Sequence, residues 1–323
     1  MAIAPSAAAA ARPSSTAPAS APAIGAIGLR LVEVPLATRD DPRAQIYIVD
    51  HLAPGAVLHR EIEISNTTAA TANIALYPAA ATIVEGAFLG AAGRTANDLS
   101  SWTSVTPSSS DVLAAGFLRA VVTITVPSDA PSGEHYGVVW AETHSAPVGA
   151  SGGIMHVTRV GIRLYLSVGN GGAPRTDFTI DSLTATRSSD GQPTVLATVH
   201  NTGGRALDID GTLQLLAGPS GLRAGPFDVA LGTTLAIGAT APVTIALDKQ
   251  LPAGPWDAEI SLRSGLFERS ARATITFPDT GAAPAVDTST ARSGWLSPAV
   301  VGLAALLLLS IAAGLVARNR RAT

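Results

Sequence analysis

The residues whose types and spacing could do chemistry are few: one G-x-S-x-G pentad, six histidines, a pair of aspartates two apart, and a pentapeptide ending in Thr-Gly. The pentad is Gly149-Ala150-Ser151-Gly152-Gly153. A nucleophile elbow needs a strand before its serine and a helix after it, so that the hydroxyl stands beside an oxyanion hole. Here residues 154–168 read as a strand, and the Gly/Ser/Ala setting predicts a hairpin loop. The histidines, His51, His59, His135, His144, His156 and His200, form no H-x-x-x-H pair and no metal triad by spacing. Asp208 and Asp210 share one face of a strand, but no Gly-containing loop with a terminal Glu follows to make a calcium site. Cysteine is absent, which removes disulfides, Cys-ligated zinc and thiol nucleophiles together. The sequence therefore predicts no catalytic residue, no cofactor and no metal site.

Three further motifs have competing readings. Asn66-Thr67-Thr68 fits the glycosylation sequon, but a turn suits it better. Phe277-Pro278-Asp279-Thr280-Gly281 invites comparison with L-P-x-T-G sorting signals. Phe stands where Leu is usual, and 14 residues separate the motif from the next apolar segment; the other reading is a last strand ending in a turn. Tyr136, Val138 and Trp140 share a strand face: exposed, they could stack on sugars, whereas in a chain only 4% aromatic they are better read as core.

The elements that must position these residues are strands. The chain has 323 residues, 47% apolar and 14% charged, with a formal net charge of −3 that argues against a nucleic-acid surface. Apolar or alternating runs bounded by Gly, Pro, Asn or Asp recur throughout: residues 27–34, 44–49, 58–65, 74–77, 118–126, 137–143 and 154–168, then 178–187, 194–200, 208–216, 227–231, 243–247, 256–263 and 269–277. Asp40-Asp41 before Pro42 reads as a turn cap. The two halves share a pattern, in which a strand ends at Asn-Thr and a later hairpin has a Gly before an aromatic strand. Asn66 and Asn201 match in this scheme, as residues tolerant of a left-handed turn, and so do Gly133 and Gly254, where positive φ is predicted at one or both. The prediction is an all-β chain of two tandem Ig-like β-sandwiches, residues 27–169 and 174–277, followed by one C-terminal transmembrane helix.

That helix is residues 296–317 (LSPAVVGLAALLLLSIAAGLVA), 22 residues without a charge. As a helix they rise about 33 Å, enough to cross a hydrocarbon core. Trp295 sits at the outer interface, and Arg318, Arg320 and Arg321 in the 318–323 tail place the C-terminus in the cytoplasm, with the sandwiches extracellular. Residues 278–295 read as a flexible spacer. Residues 1–26 read as an Ala/Pro/Ser-rich tail or an atypical export signal, lacking a basic start before an apolar core.

The first half also carries Tyr47, Leu52-Ala53-Pro54-Gly55, Ser65-Asn66, Ser101-Trp102, Val126-Pro127-Ser128-Asp129-Ala130 and Pro131-Ser132-Gly133-Glu134-His135-Tyr136-Gly137. In these turn motifs it resembles the peptidoglycan-binding domain of the WxL-interacting surface proteins of Gram-positive bacteria. The Arg-over-Lys, Ala-rich composition resembles that of actinobacteria. The resemblance implies a second Ig-like domain, a single membrane anchor, and as partners cell-wall peptidoglycan or a surface protein of WxL type. The function predicted is a membrane-anchored, extracellular binding or scaffold protein. Two alternatives stand beside it. One is a membrane-tethered hydrolase using Ser151. The other is a strand-exchanging surface-assembly chaperone, whose signature would be a long unpaired edge strand in the first sandwich.

Overall fold

The structure is a computed structural model and describes residues 26–144, 156–229 and 232–290. Ser151 and its pentad, the N-terminal tail up to residue 25, Trp295, the 296–317 segment, Arg318, Arg320 and Arg321 lie outside the described residues. Among the described residues, no helix is long and apolar enough to cross a membrane.

The chain is all-β, as the alternating runs predict. Its first ten strands are β1 (Ile27–Leu31), β2 (Ile48–Leu52), β3 (Val57–Asn66), β4 (Ala72–Val84), β5 (Ala87–Gly90), β6 (Thr103–Thr106), β7 (Ser109–Val112), β8 (Phe117–Thr125), β9 (Gly133–His144) and β10 (Val157–Val168). They form two sheets, β1-β3-β8-β6 and β2-β10-β9-β4-β5, with β7 added to β4. Period-two alternation sends Ile62, Ile64, Val122 and Ile124 from one sheet against Ile74, Leu76, Val139, Leu164 and Leu166 from the other, all at 1% exposure or less.

Residues 44–49, predicted as strand, are divided. Pro42–Ile46 is a helix, α1, and the strand starts only at Ile48. Asp41 caps this helix by accepting the Arg43 N–H at 2.9 Å, and Pro42 occupies its first turn. The Asp-Pro start overrides a short apolar run. A second short helix, α2 (Asp98–Trp102), is closed by a reciprocal Asn97–Ser100 capping box.

After the Gly169–Pro174 break come β11 (Phe178–Arg187), β12 (Pro193–Asn201), β13 (Leu207–Ala217), β14 (Ala224–Asp228), β15 (Thr233–Leu235), β16 (Thr240–Ala246), β17 (Trp256–Ser264) and β18 (Phe267–Ile275). One sheet is β16-β12-β11 and the other β14-β13-β17-β18, with β15 on β13. Trp256, Phe178 and Phe277 fill the space between them.

The matched asparagines do the same work in both sandwiches, though not the work predicted for them. Neither has positive φ; among the described residues the non-Gly residues that do are Glu85, Ala115 and Ser220. Instead each is buried and its amide clasps loops. Asn66 Nδ2 donates to the carbonyls of Ala70, Val112 and Leu113, and its Oδ1 accepts from Thr68. Asn201 Nδ2 donates to Arg205, Leu235 and Ala236, and its Oδ1 accepts from Gly203. Only a primary amide supplies these donors and the acceptor together. Gly133 and Gly254 do have positive φ, +138° and +114°.

The predicted free spacer is not free at its start. Three short strands, β19 (Gly281–Ala282), β20 (Val286–Asp287) and β21 (Ser289–Thr290), lie on the second sandwich, the first two on β11 and the last on β18.

Candidate functional site

Among the described residues, part of the β10 edge in the first sandwich is unpaired. β10 pairs with β9 along its whole length, from Val157 opposite His144 to Val168 opposite Gly133. On its other side β2 runs parallel to it, but only from Leu164 to Val168. Among the described residues, no strand pairs with the outer edge of residues 157–163. β1, whose only partner there is β3, runs close to β10 across the sandwich opening. Ile162 is 2% exposed, while Val160 and Leu29 are half-buried against the same core at this seam.

The outer face beside this edge is firmly built. The Trp140 indole lies over Gly161, where a Cβ would come within 2.6 Å of the ring. Its Nε1 donates to the Ala91 carbonyl at 2.9 Å. Arg159 stands 5.2 Å from the Trp140 ring centre and donates to Glu142 at 2.8 Å. Glu142 also accepts from Tyr77; this bond is the main reason its carboxyl lies below the usual range. Burial, helped by that bond, pushes the Tyr77 hydroxyl up to about 12. Of the three residues on this face, Val138 and Trp140 are held in a small core cluster apart from the central one, while the Tyr136 hydroxyl donates to Glu134. Val138 joins Tyr77 and Ala79 in a small outer cluster against which Trp140 packs.

At the far end of β10 the strand meets the second sandwich. Asp208, on β13, accepts from Arg43 Nε at 2.8 Å, Arg163 Nη1 at 3.0 Å, the Tyr165 hydroxyl at 3.0 Å and Thr234 at 2.8 Å. Arg43 also donates to the Ala206 carbonyl at 3.1 Å and lies 4.8 Å from the Tyr165 ring centre; its Nη2 is buried without a partner. Glu134 accepts the Ala206 N–H and the Tyr136 hydroxyl. Burial raises the Glu134 carboxyl above its usual range and the Tyr136 and Tyr165 hydroxyls above theirs, and lowers Arg205. A cavity of about 210 Å³ beside this cluster is lined by Asp41, Asp50, His51, Glu134, Tyr165 and Arg205, among others. The β4–β5 hairpin adds a second brace: the Gly86 carbonyl accepts the Thr234 N–H at 2.7 Å.

Asp208 and Asp210 are thus separated in role, since Asp210 pairs with Arg263 on the neighbouring strand. Among the described residues, no group of three His, Asp or Glu side chains could hold a metal ion. His51 bonds Ser167 and the Gly171 carbonyl, and His135 bonds the Pro131 carbonyl. In the sorting-like motif, Phe277 is 1% exposed and the Pro278 carbonyl accepts from Arg187, so this segment ends the sandwich as a strand and turn. Arg43, Arg163 and Glu134 were not singled out from sequence as interface residues. Nor was the open edge located, although Gly161 within a strand was a signal of close backbone approach.

No family model and no curated protein matches the sequence. Solved structures do resemble it at low identity. A chain of the Salmonella enterica SafA pilin–SafB chaperone complex is 9% identical with a TM-score of 0.41, covering 79% of this chain and 99% of that one. The Pseudomonas aeruginosa CupB2 chaperone is 10% identical with a TM-score of 0.37, covering 71% and 97%. The class 5 fimbriae chaperone CfaA is 11% identical with a TM-score of 0.36, covering 77% and 99%.

Proposed function

We propose that the protein is a surface binding and assembly module that takes a β-strand from a partner polypeptide onto residues 157–163 of β10. The observation that supports this reading is the edge left where β2 stops at Leu164. A strand laid there continues the sheet in line with β2. Main-chain hydrogen bonds supply affinity, and alternate side chains entering the seam beside Val160, Ile162 and Leu29 supply selection. The fitting partner segment is extended, about as long as the open stretch, and alternates apolar with polar residues. In this reading the protein works without a catalytic residue or cofactor. Residues 296–317 hold it in the cell membrane with both sandwiches outside, and the WxL-interacting resemblance makes a surface protein the partner class.

Wall binding and strand addition are separated by placing a photoreactive benzoylphenylalanine in the full chain on cells. At Thr158 it should capture a polypeptide, and at the exposed Thr274 on β18 it should not. Val160→Asp should abolish capture. Equal capture at both positions would contradict the proposal. So would retention on purified peptidoglycan unaffected by Val160→Asp, if no polypeptide is captured at Thr158.

A further inference from the structure

The second sandwich guards two of its own edges with its C-terminal described segment. β11 has ten residues, and among the described residues only Ser182, Leu183, Thr186 and Arg187 have a ladder partner on its outer side. The segment then crosses to the other sheet, where Ser289 and Thr290 pair with Arg272 and Ala271 of β18. Two more backbone bonds hold it, Ala283 N–H to the Ala185 carbonyl at 2.9 Å and Thr288 N–H to the Asp181 carbonyl at 3.1 Å. Ala283 packs on the core, the Thr288 hydroxyl donates to the Ile180 carbonyl, and a groove of about 500 Å³ runs between residues 286–289 and the β17–β18 face.

We propose that residues 281–290 exchange between two copies of this chain, each segment seating on the β11 and β18 edges of its neighbour. Three features carry the inference. The first is the shortness of the join. Pro278 is fixed through its carbonyl by Arg187 at 3.1 Å, and Gly281 has φ of +82°, so Asp279 and Thr280 alone form the reversing link. A short, sharply turned link favours exchange, because opening it removes the turn while every contact beyond is remade in a second copy. The second is the slightness of the hold. Each ladder is two residues long and most of the segment is exposed, which places its opening at the low end of local stabilities. The third is that opening leaves β11 and β18 with unpaired edges that need a cover of this sequence and register. An identical segment from a second copy meets both requirements.

The chain has no cysteine, so introduced thiols report alone. Thr186 and Ala282 are direct partners in the ladder. Full chains carrying Thr186→Cys and Ala282→Cys singly, with tags of different size, are mixed and oxidised. A disulfide between the two variants should accumulate with protein concentration. It should exceed several-fold the yield from Ala282→Cys mixed with Ser220→Cys, whose site pairs with no residue of the segment. A four-residue Gly/Ser insertion between Asp279 and Thr280 should suppress it several-fold, because the longer link lets the segment fold back. The proposal is overturned if the mixed variants yield no more disulfide than the Ser220 control. It is equally overturned if light scattering finds the unmodified full chain monomeric across the whole concentration range.

Discussion

Arg43 of the first sandwich and Asp208 of the second form an ion pair of 2.8 Å in which the arginine side chain is 5% exposed and the aspartate 19%. Asp208 also holds Arg163 at 3.0 Å, so one carboxylate anchors two guanidiniums from the other sandwich. Arg163 closes the open stretch of β10, which makes the clamp continuous with the proposed binding edge. Truncating Asp208 leaves both arginines uncompensated. Asp208→Ala should lower stability by about 3–5 kcal/mol, and Asp208→Leu combined with Arg43→Met should cost clearly less. Urea midpoints of the three proteins check the order.

Glu134 links stability to pH. Burial raises its carboxyl above the ordinary 4.5, against the bonds from Tyr136 and Ala206 and the nearby Arg43 and Arg205. The folded state therefore holds this proton more readily than the unfolded chain. Its contribution is fully present below the ordinary value and falls away as pH rises through the raised one. Glu134→Gln removes that decline. The stability of the Gln variant relative to the parent should rise with pH in the interval above the ordinary carboxylate value. A difference that stays flat across this interval would show that Glu134 is not held out of water.

The asparagine clasps should matter equally in the two sandwiches. Asn66→Ala and Asn201→Ala each remove the amide donor to three carbonyls, of which Leu113 and Ala236 keep the Gly116 and Ala239 N–H, and each leaves one backbone N–H without its acceptor. Each should cost about 1–3 kcal/mol. Asn→Asp at either site should be worse, since a carboxylate would face those carbonyls. Thermal unfolding of the four variants is the measurement.

The two hairpin glycines should differ. Both have positive φ, but an added Cβ meets nothing within 4 Å at Gly133, while at Gly254 it comes within 2.7 Å of Trp256 Cδ1. Gly133→Ala should cost about 1–3 kcal/mol from backbone strain alone, and Gly254→Ala more. Equal costs in denaturant titrations would mean that Trp256 moves aside freely.

What could be read from sequence was what local pattern encodes. Residues 178–187 were legible to the residue, because an apolar alternation, shifted once by a bulge after Ile180, ends at a turn sequence. The Asn66/Asn201 and Gly133/Gly254 correspondences were legible as a repeat, although the asparagines act through their amides and not their backbone. The Arg43–Asp208 clamp joins residues 165 apart, and a lone arginine or aspartate at a polar position carries no local signal of its partner. The open edge is also non-local, since it depends on where β2 stops along β10. Residues 44–46 were misread because an Asp-Pro cap outweighed three residues that also suit a strand. The spacer was misread because two-residue ladders have no periodicity to see.

The measurement that bears most directly on strand addition is amide hydrogen exchange across residues 157–163 of the full chain, alone and with the polypeptide captured at Thr158. In the free protein, amides in this stretch directed to β9 should be protected, and those directed to the open side should exchange rapidly. With the partner bound, the rapid set should slow by at least tenfold while residues 164–168, already covered by β2, stay unchanged. Uniform protection in the free protein, or rapid exchange that persists in the complex, would contradict the account.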